Sequence, residues 1–217
     1  MSELQQEQHP FLDFVKKNQK ALTYTIVAAI VLIGGFFGYT ELYQKPREAK
    51  AADAMFMAEK YFANDSSNFV LNGDGQSKGV LYIIKEFSGT KAANLAKYYA
   101  GVSYFRMNDF NKSIEYLKDF STDAKQIQAV AYGTLGDAYA SLNKVDEAVS
   151  HYKKAGEYFP EDEAISSEYL FRAAAYLELN NKTDEAIELY TKIKNEYPKS
   201  EKGFMADKYI NRLKIQP

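Results

Sequence analysis

The sequence predicts an all-α protein: a single N-terminal transmembrane helix, then a solenoid of helix-turn-helix repeats ending in a C-terminal capping helix. Three observations predict it. Ala21–Thr40 is a run of twenty residues without a charge, set between Lys20 and Glu41. Beyond it, large aromatic and very small residues alternate at helical spacings, and that arrangement recurs along the chain. The 217 residues include 18 tyrosines and no tryptophan, a composition suited to helices packed through large amphipathic side chains.

In chain order, residues 1–20 form a cytoplasmic tail, 21–40 the membrane helix, 41–63 a linker and first helix, and 64–217 the solenoid. Twenty residues at helical rise span the roughly 30 Å hydrocarbon core of a bilayer. Leu22, Ile26, Val27, Ile30, Val31, Leu32, Ile33, Phe36 and Phe37 together favour insertion by roughly 3–5 kcal/mol, which Gly and Thr partly offset. The run is longer than a signal peptide's apolar core, and Glu41-Leu42-Tyr43-Gln44-Lys45-Pro46 offers no small-residue cleavage site. With no cysteine in the chain, a lipoprotein anchor is excluded. Lys16, Lys17 and Lys20 crowd the N-terminal edge more closely than Lys45, Arg47 and Lys50 crowd the other. The positive-inside rule then puts the N-terminus in the cytoplasm and the large C-terminal part across the membrane, in the periplasm. Gly34 and Gly38 have the Gly-x-x-x-Gly spacing that lets two membrane helices approach, so they are candidate contacts within the membrane.

Several function classes are excluded or disfavoured. Net charge is −2 with both signs mixed along the chain, which gives nucleic acid no basic face to bind. The two histidines, His9 and His151, have no cysteine to join them in a zinc site of ordinary composition. His151 reads as a solvated helix residue. The loop Leu71-Asn72-Gly73-Asp74-Gly75-Gln76-Ser77 lacks the alternating acids and distal Glu of a calcium loop and reads as a tight turn. No nucleophile elbow, P-loop or dinucleotide fingerprint is present, so neither an enzyme nor a cofactor is expected.

The repeat is clearest from Ala129 to Pro160. Tyr132, Leu135, Gly136 and Tyr139 share a face of one helix; after the turn Leu142-Asn143-Lys144, a second helix carries Ala148, Tyr152 and Ala155, and Pro160 stops it. Small residues sit where the helices cross and tyrosines fill the layer between them. This closely resembles a tetratricopeptide (TPR) repeat. A second copy reads Tyr169, Ala173 and Tyr176, then Ala186, Tyr190, Ile193 and Pro198. In that alignment its turn has one extra residue, and Arg172 replaces the usual leucine. An earlier copy reads Ala100, Gly101 and Tyr104, then Ser113, Leu117 and Phe120, with Lys125 where the proline would fall. Ala51–Phe62 and Gly79–Phe87 form a degenerate first pair split by the polar loop Asn64–Lys78. Ser200–Leu213 repeats a first-helix signature with Ala206 and Tyr209, and caps the stack with Lys202, Asp207, Lys208, Arg212 and Lys214 toward water.

In TPR proteins the first helices line a concave groove. The resemblance transfers that lining to Leu95, Tyr98, Val102 and Phe105, then Val130, Gly133, Asp137 and Ala140, then Ser167, Leu170, Ala174 and Leu177. An apolar groove with a lone acid suits an apolar or aromatic polypeptide segment better than a carboxylate tail. The order of tail, anchor and repeats resembles the YfgM-type ancillary subunit of the bacterial Sec translocon. Phe11-Leu12-Asp13-Phe14-Val15-Lys16-Lys17-Asn18, the Gly-Tyr and Ala-Tyr signatures and Tyr197-Pro198-Lys199-Ser200 carry that resemblance. Leu71–Tyr99 also resembles membrane-anchored TPR proteins of Bacteroidota. The resemblance implies a partner set of the Sec translocon, a membrane-anchored periplasmic chaperone of the PpiD type and unfolded exported polypeptides. The alternative is a scaffold or adaptor for another cell-envelope assembly.

Overall fold

A computed structural model describes residues 10–215, and the chain divides into two compact units, residues 1–49 and 50–217. All regular structure among the described residues is helical, apart from one isolated bridge between Gly73 and Lys78.

The first unit holds α1 (Pro10–Lys17), α2 (Gln19–Tyr39), a π-helical turn (Thr40–Gln44) and the start of α3 (Lys45–Ala63). α2 is 21 residues long, none of them buried, and at 1.5 Å per residue it is about 31 Å long. Its large side chains stand free: Ile30 is 63% exposed and Phe36 68%. Thr23, Thr25 and Thr40 donate their hydroxyls to the carbonyls four residues back, at 2.8–2.9 Å. Thr23 and Thr25 on this helix, and Thr40 just beyond it, therefore hide their polarity against the backbone. An apolar helix of this length, uncovered on every side, is compatible with a membrane anchor.

The second unit continues α3 and adds α4 (Ser67–Asn72), α5 (Val80–Glu86), α6 (Lys91–Arg106), α7 (Phe110–Lys118), α8 (Lys125–Ser141), α9 (Val145–Tyr158), α10 (Glu163–Leu179), α11 (Thr183–Glu196) and α12 (Glu201–Ile215). One turn, used four times, organises it. Asp65, Asn108, Asn143 and Asn181 have φ of 54–61°, the left-handed region that Asn and Asp enter more readily than other side chains. Their amides donate to Phe62, Phe105, Ala140 and Glu178 at 2.9–3.2 Å. The next residues' amides reach Tyr61, Tyr104, Tyr139 and Leu177 at 2.9–3.0 Å. Each first helix therefore ends in the same geometry, with its last carbonyls satisfied.

This turn sets the register of the repeats and corrects two sequence readings. In the last pair, Leu177 takes the place of Tyr139, and Ala174 that of Gly136. Tyr176 and Ala173, assigned there by the sequence pattern, lie one position off. Leu177 to Ala186 is then nine residues, as Tyr139 to Ala148 is, and the extra turn residue disappears. Arg172 replaces no leucine, because Ala173 holds that place. In the first pair, the helices are not split by a loop over Asn64–Lys78. The ordinary turn follows α3 at once, and α4 buries Val70 and Leu71. The inserted residues lie after α4, where Asp74 Oδ1 accepts from the amides of Gln76 (3.0 Å) and Ser77 (2.6 Å) and Oδ2 from the Tyr61 hydroxyl (2.6 Å).

Small residues set the helix crossings. A Cβ on Gly136 would lie 2.5 Å from Cδ1 of Tyr152, and one on Gly101 would strike the Leu117 side chain. Two cores follow. Met55, Ala58, Val70, Leu71, Val80, Ile83 and Ala92, Ala96 and Ala100 of α6 form one; the facing residues of α7–α12 form the other, and Leu95 packs against both. Burying each large aliphatic side chain contributes about 1.5–3 kcal/mol. α12 closes the second core with Gly203, Ala206, Ile210 and Leu213, and shows Asp207, Lys208 and Lys214 to water.

Candidate protein-binding face

The first helices α6, α8, α10 and α12 follow one another along the stack, and α8 meets the next repeat through a regular set of contacts. Lys125 meets Glu161 (3.0 Å), Gln126 meets Asp162 (3.3 Å), Arg172 meets Asp137 (3.1 Å) and the Tyr176 hydroxyl meets the Ala140 carbonyl (3.0 Å), each pair 35 or 36 residues apart in sequence. The Tyr169 ring lies directly on Gly133, where any side chain would overlap it. The α8 positions assigned to an open groove are thus partly covered by Tyr169, Arg172 and Tyr176 of the next repeat.

The predicted lining residues divide accordingly. Leu170 and Leu177 are fully buried core residues, as are Ala174 and, at 1% exposure, Ser167. A slip of one residue rotates a helix position by about 100°, so the half-buried face of α10 carries Glu168, Phe171, Ala175 and Glu178 instead. Asp137 is not a lone acid: it accepts from the Tyr152 hydroxyl (2.7 Å) and pairs with Arg172. Val130 is half-buried. Leu95, Tyr98, Val102 and Phe105 of α6 are all half-buried, and they form the apolar stretch of this face. The Tyr98 ring packs on Phe120 (5.4 Å) and Tyr99 (5.7 Å), and Phe105 on Phe110 (5.6 Å). Gly34 and Gly38, on α2, have nothing beside their Cβ positions within 4 Å.

Electrostatics grade along the face. Burial pushes the Tyr98 hydroxyl up, against the pull of Arg106. Burial also pushes Tyr169 up to about 12, with Asp137 and Tyr98 adding to it and Arg172 opposing. Both remain protonated donors at neutral pH. Toward α12 the face becomes ionic: Glu168 pairs with Arg172 (2.9 Å) and Lys202 (3.3 Å), and Glu178 pairs with Arg212 while accepting from Tyr190 (3.2 Å). The α6 end therefore offers apolar contact and hydroxyl donors, and the α10–α12 end is already satisfied by its own charges.

Sequence reasoning missed Phe171, Glu168, Glu178 and the bridging role of Arg172. The paired dipeptides Asn143-Lys144 and Asn181-Lys182 were the signal that would have set the register. His151, expected in solvent, is half-buried and stacks on Tyr139 at 5.2 Å and 13°. Among the described residues no group of three or more His, Asp and Glu is placed to hold a metal ion.

Tetratricopeptide-repeat family models match residues 95–124, 129–162 and 168–200, the helix pairs α6–α7, α8–α9 and α10–α11. The fold is a tetratricopeptide-repeat solenoid. The TPR-like repeats assigned to a kinesin light chain of Podosopora anserina share this architecture, with a TM-score of 0.53 and 12% identity over 76% of this chain and 86% of that one. A single-substitution form of the same protein gives 0.52, again at 12% identity, over 76% and 85%. No curated protein matches the sequence. TPR repeats make the second unit a protein–protein interaction module.

Proposed function

We propose that the protein is a non-enzymatic, membrane-anchored TPR module that holds apolar or aromatic polypeptide segments against the α6 face. One observation carries this reading: Tyr98, Val102 and Phe105 form a half-buried apolar stretch, while the rest of the first-helix face is closed by its own ion pairs and tyrosines. α2 is the anchor, with its N-terminus cytoplasmic and the TPR unit periplasmic, and Gly34 and Gly38 are the points of close approach within the membrane. The partners that the sequence resemblance implies complete the reading: the module stands at the periplasmic exit of the Sec translocon with a PpiD-type chaperone and receives newly exported chains. Confinement beside the exit raises the effective concentration of clients, so contacts of roughly micromolar strength suffice.

The test is photo-crosslinking in cells from a benzophenone amino acid at Tyr98 or Phe105. Many different exported chains are expected in the adducts. A single constant partner would refute client capture and favour a scaffold in another envelope assembly. Topology is tested by a cysteine at Asn195, exposed on α11; Asn143 is unsuitable because its φ of 56° strains most side chains. Labelling by an impermeant thiol reagent, after opening only the outer membrane, is expected; protection until lysis would place the repeats in the cytoplasm.

A further inference from the structure

Away from the α6 face, α7, α8 and α9 gather cations around two tyrosines. The Tyr139 ring is stacked by His151 and approached by two ammonium groups, Lys118 at 5.5 Å and Lys144 at 5.8 Å from its centroid. Beside it, Tyr132 carries Lys154 at 4.1 Å and the edge of Tyr158 at 5.4 Å. Seven other lysines of the unit, Lys97, Lys112, Lys125, Lys182, Lys192, Lys194 and Lys202, each have a carboxylate within 4.0 Å. Lys118, Lys144 and Lys154 have no such ion pair among the described residues. Of the charges that act on His151, the one acid is Glu147, a turn before it.

We infer that this surface binds an acidic segment of a partner polypeptide, its carboxylates meeting Lys118, Lys144 and Lys154. Charge complementarity selects the occupant. Three ammonium groups without an ion pair, gathered around two rings, leave a local positive excess on a chain whose net charge is −2. The aromatic faces pre-order the lysines, so a carboxylate binding there faces a smaller ordering cost than at free surface lysines. His151 joins the excess on demand. Its Nδ1 is buried without a partner, and burial first, then Lys154 and Lys118, lower its pKa against the pull of Glu147. The imidazole is therefore neutral at pH 7, and an anion bound among the lysines stabilises its protonated form. No residue of this surface belongs to the α6 face, so the inference stands or falls apart from the client-binding proposal.

The test uses the full chain in detergent micelles and fluorescein-labelled decaglutamate, followed by anisotropy. Binding is expected to weaken with added salt and to fall at least tenfold in K118Q/K144Q/K154Q. It should stay within twofold in K60Q/K85Q/K208Q, which removes the same charge from exposed lysines elsewhere. Equal loss in the two triple variants, or no loss in the first, overturns the inference. The unsubstituted chain supplies a second readout: the His151 ring resonance should titrate at higher pH when decaglutamate is present, and an unmoved titration overturns the proposal. Pelleting with phosphatidylglycerol vesicles covers the lipid alternative. If K118Q/K144Q/K154Q abolishes pelleting but leaves decaglutamate binding intact, the surface is for membranes and the inference fails.

Discussion

Replacing Leu177 with alanine separates the two possible registers of α10. In the register set by the turn at Asn181, Leu177 is 0% exposed and belongs to the larger core. In the register read from Tyr176, it would line an open groove. Truncation to alanine removes three carbons, worth roughly 2–2.5 kcal/mol of transfer free energy at about 0.8 per methylene. The cavity left behind adds to this, for a total of about 3–4 kcal/mol. Leu179→Ala is the control: the same chemistry two residues on, at a side chain 78% exposed, and worth no more than about 0.5 kcal/mol. The assay is urea unfolding of the full chain in micelles, followed by far-UV circular dichroism and tyrosine emission, which no tryptophan obscures. With a urea slope of about 2 kcal/mol/M, the Leu177→Ala midpoint should fall by about 1.5–2 M. If it falls no further than that of Leu179→Ala, the turn-based register is wrong and Leu177 returns to the binding face.

Three further outcomes are expected. Gly136→Val should lower stability by about 1–3 kcal/mol, because the Tyr152 ring it would strike is 5% exposed and tied to Asp137; an unchanged thermal midpoint would mean the crossing is looser. For Glu168, burial raises the pKa, but the hydrogen bonds and charges of Arg172 and Lys202 outweigh it and hold the carboxyl below its ordinary value of 4.5. A depressed carboxyl stabilises the fold above its unfolded pKa and loses that contribution as pH falls through the folded value. Glu168→Gln should therefore be less stable than the natural chain near neutral pH, with the gap closing below pH 4.5; a gap independent of pH would refute the pairing as its source. Ile30→Arg, at the middle of α2, should oppose insertion by about 2.5–3.5 kcal/mol and raise the fraction released by alkaline carbonate. Identical retention would count against α2 as an anchor.

Much of the architecture was legible because it rests on local chemistry. The uncharged span needs only its length and composition. The repeats announce themselves through Gly101, Gly136, Ala148 and Ala186 at crossings, the tyrosines between them and the prolines after them. The capping helix was visible in its charges for the same reason. The candidate site was less legible. Leu95, Tyr98, Val102 and Phe105, placed by the TPR resemblance, are all half-buried on α6, whereas the third repeat's set came out one residue away from the face it was meant to describe.

By itself, the sequence determined the helical class, the apolar span and the identity of the repeat, since each follows from residue type and spacing. The register of α10 was beyond it: Ala173 and Ala174 are equally small, and Tyr176 and Leu177 equally able to fill a core. The left-handed turn at Asn181 and the nine-residue step to Ala186 chose between them. The closing of the α8 face by Tyr169, Arg172 and Tyr176 was likewise decided in three dimensions. Those contacts join residues 35 or 36 apart, and they form only when whole repeats stack, a separation over which helical periodicity carries no information.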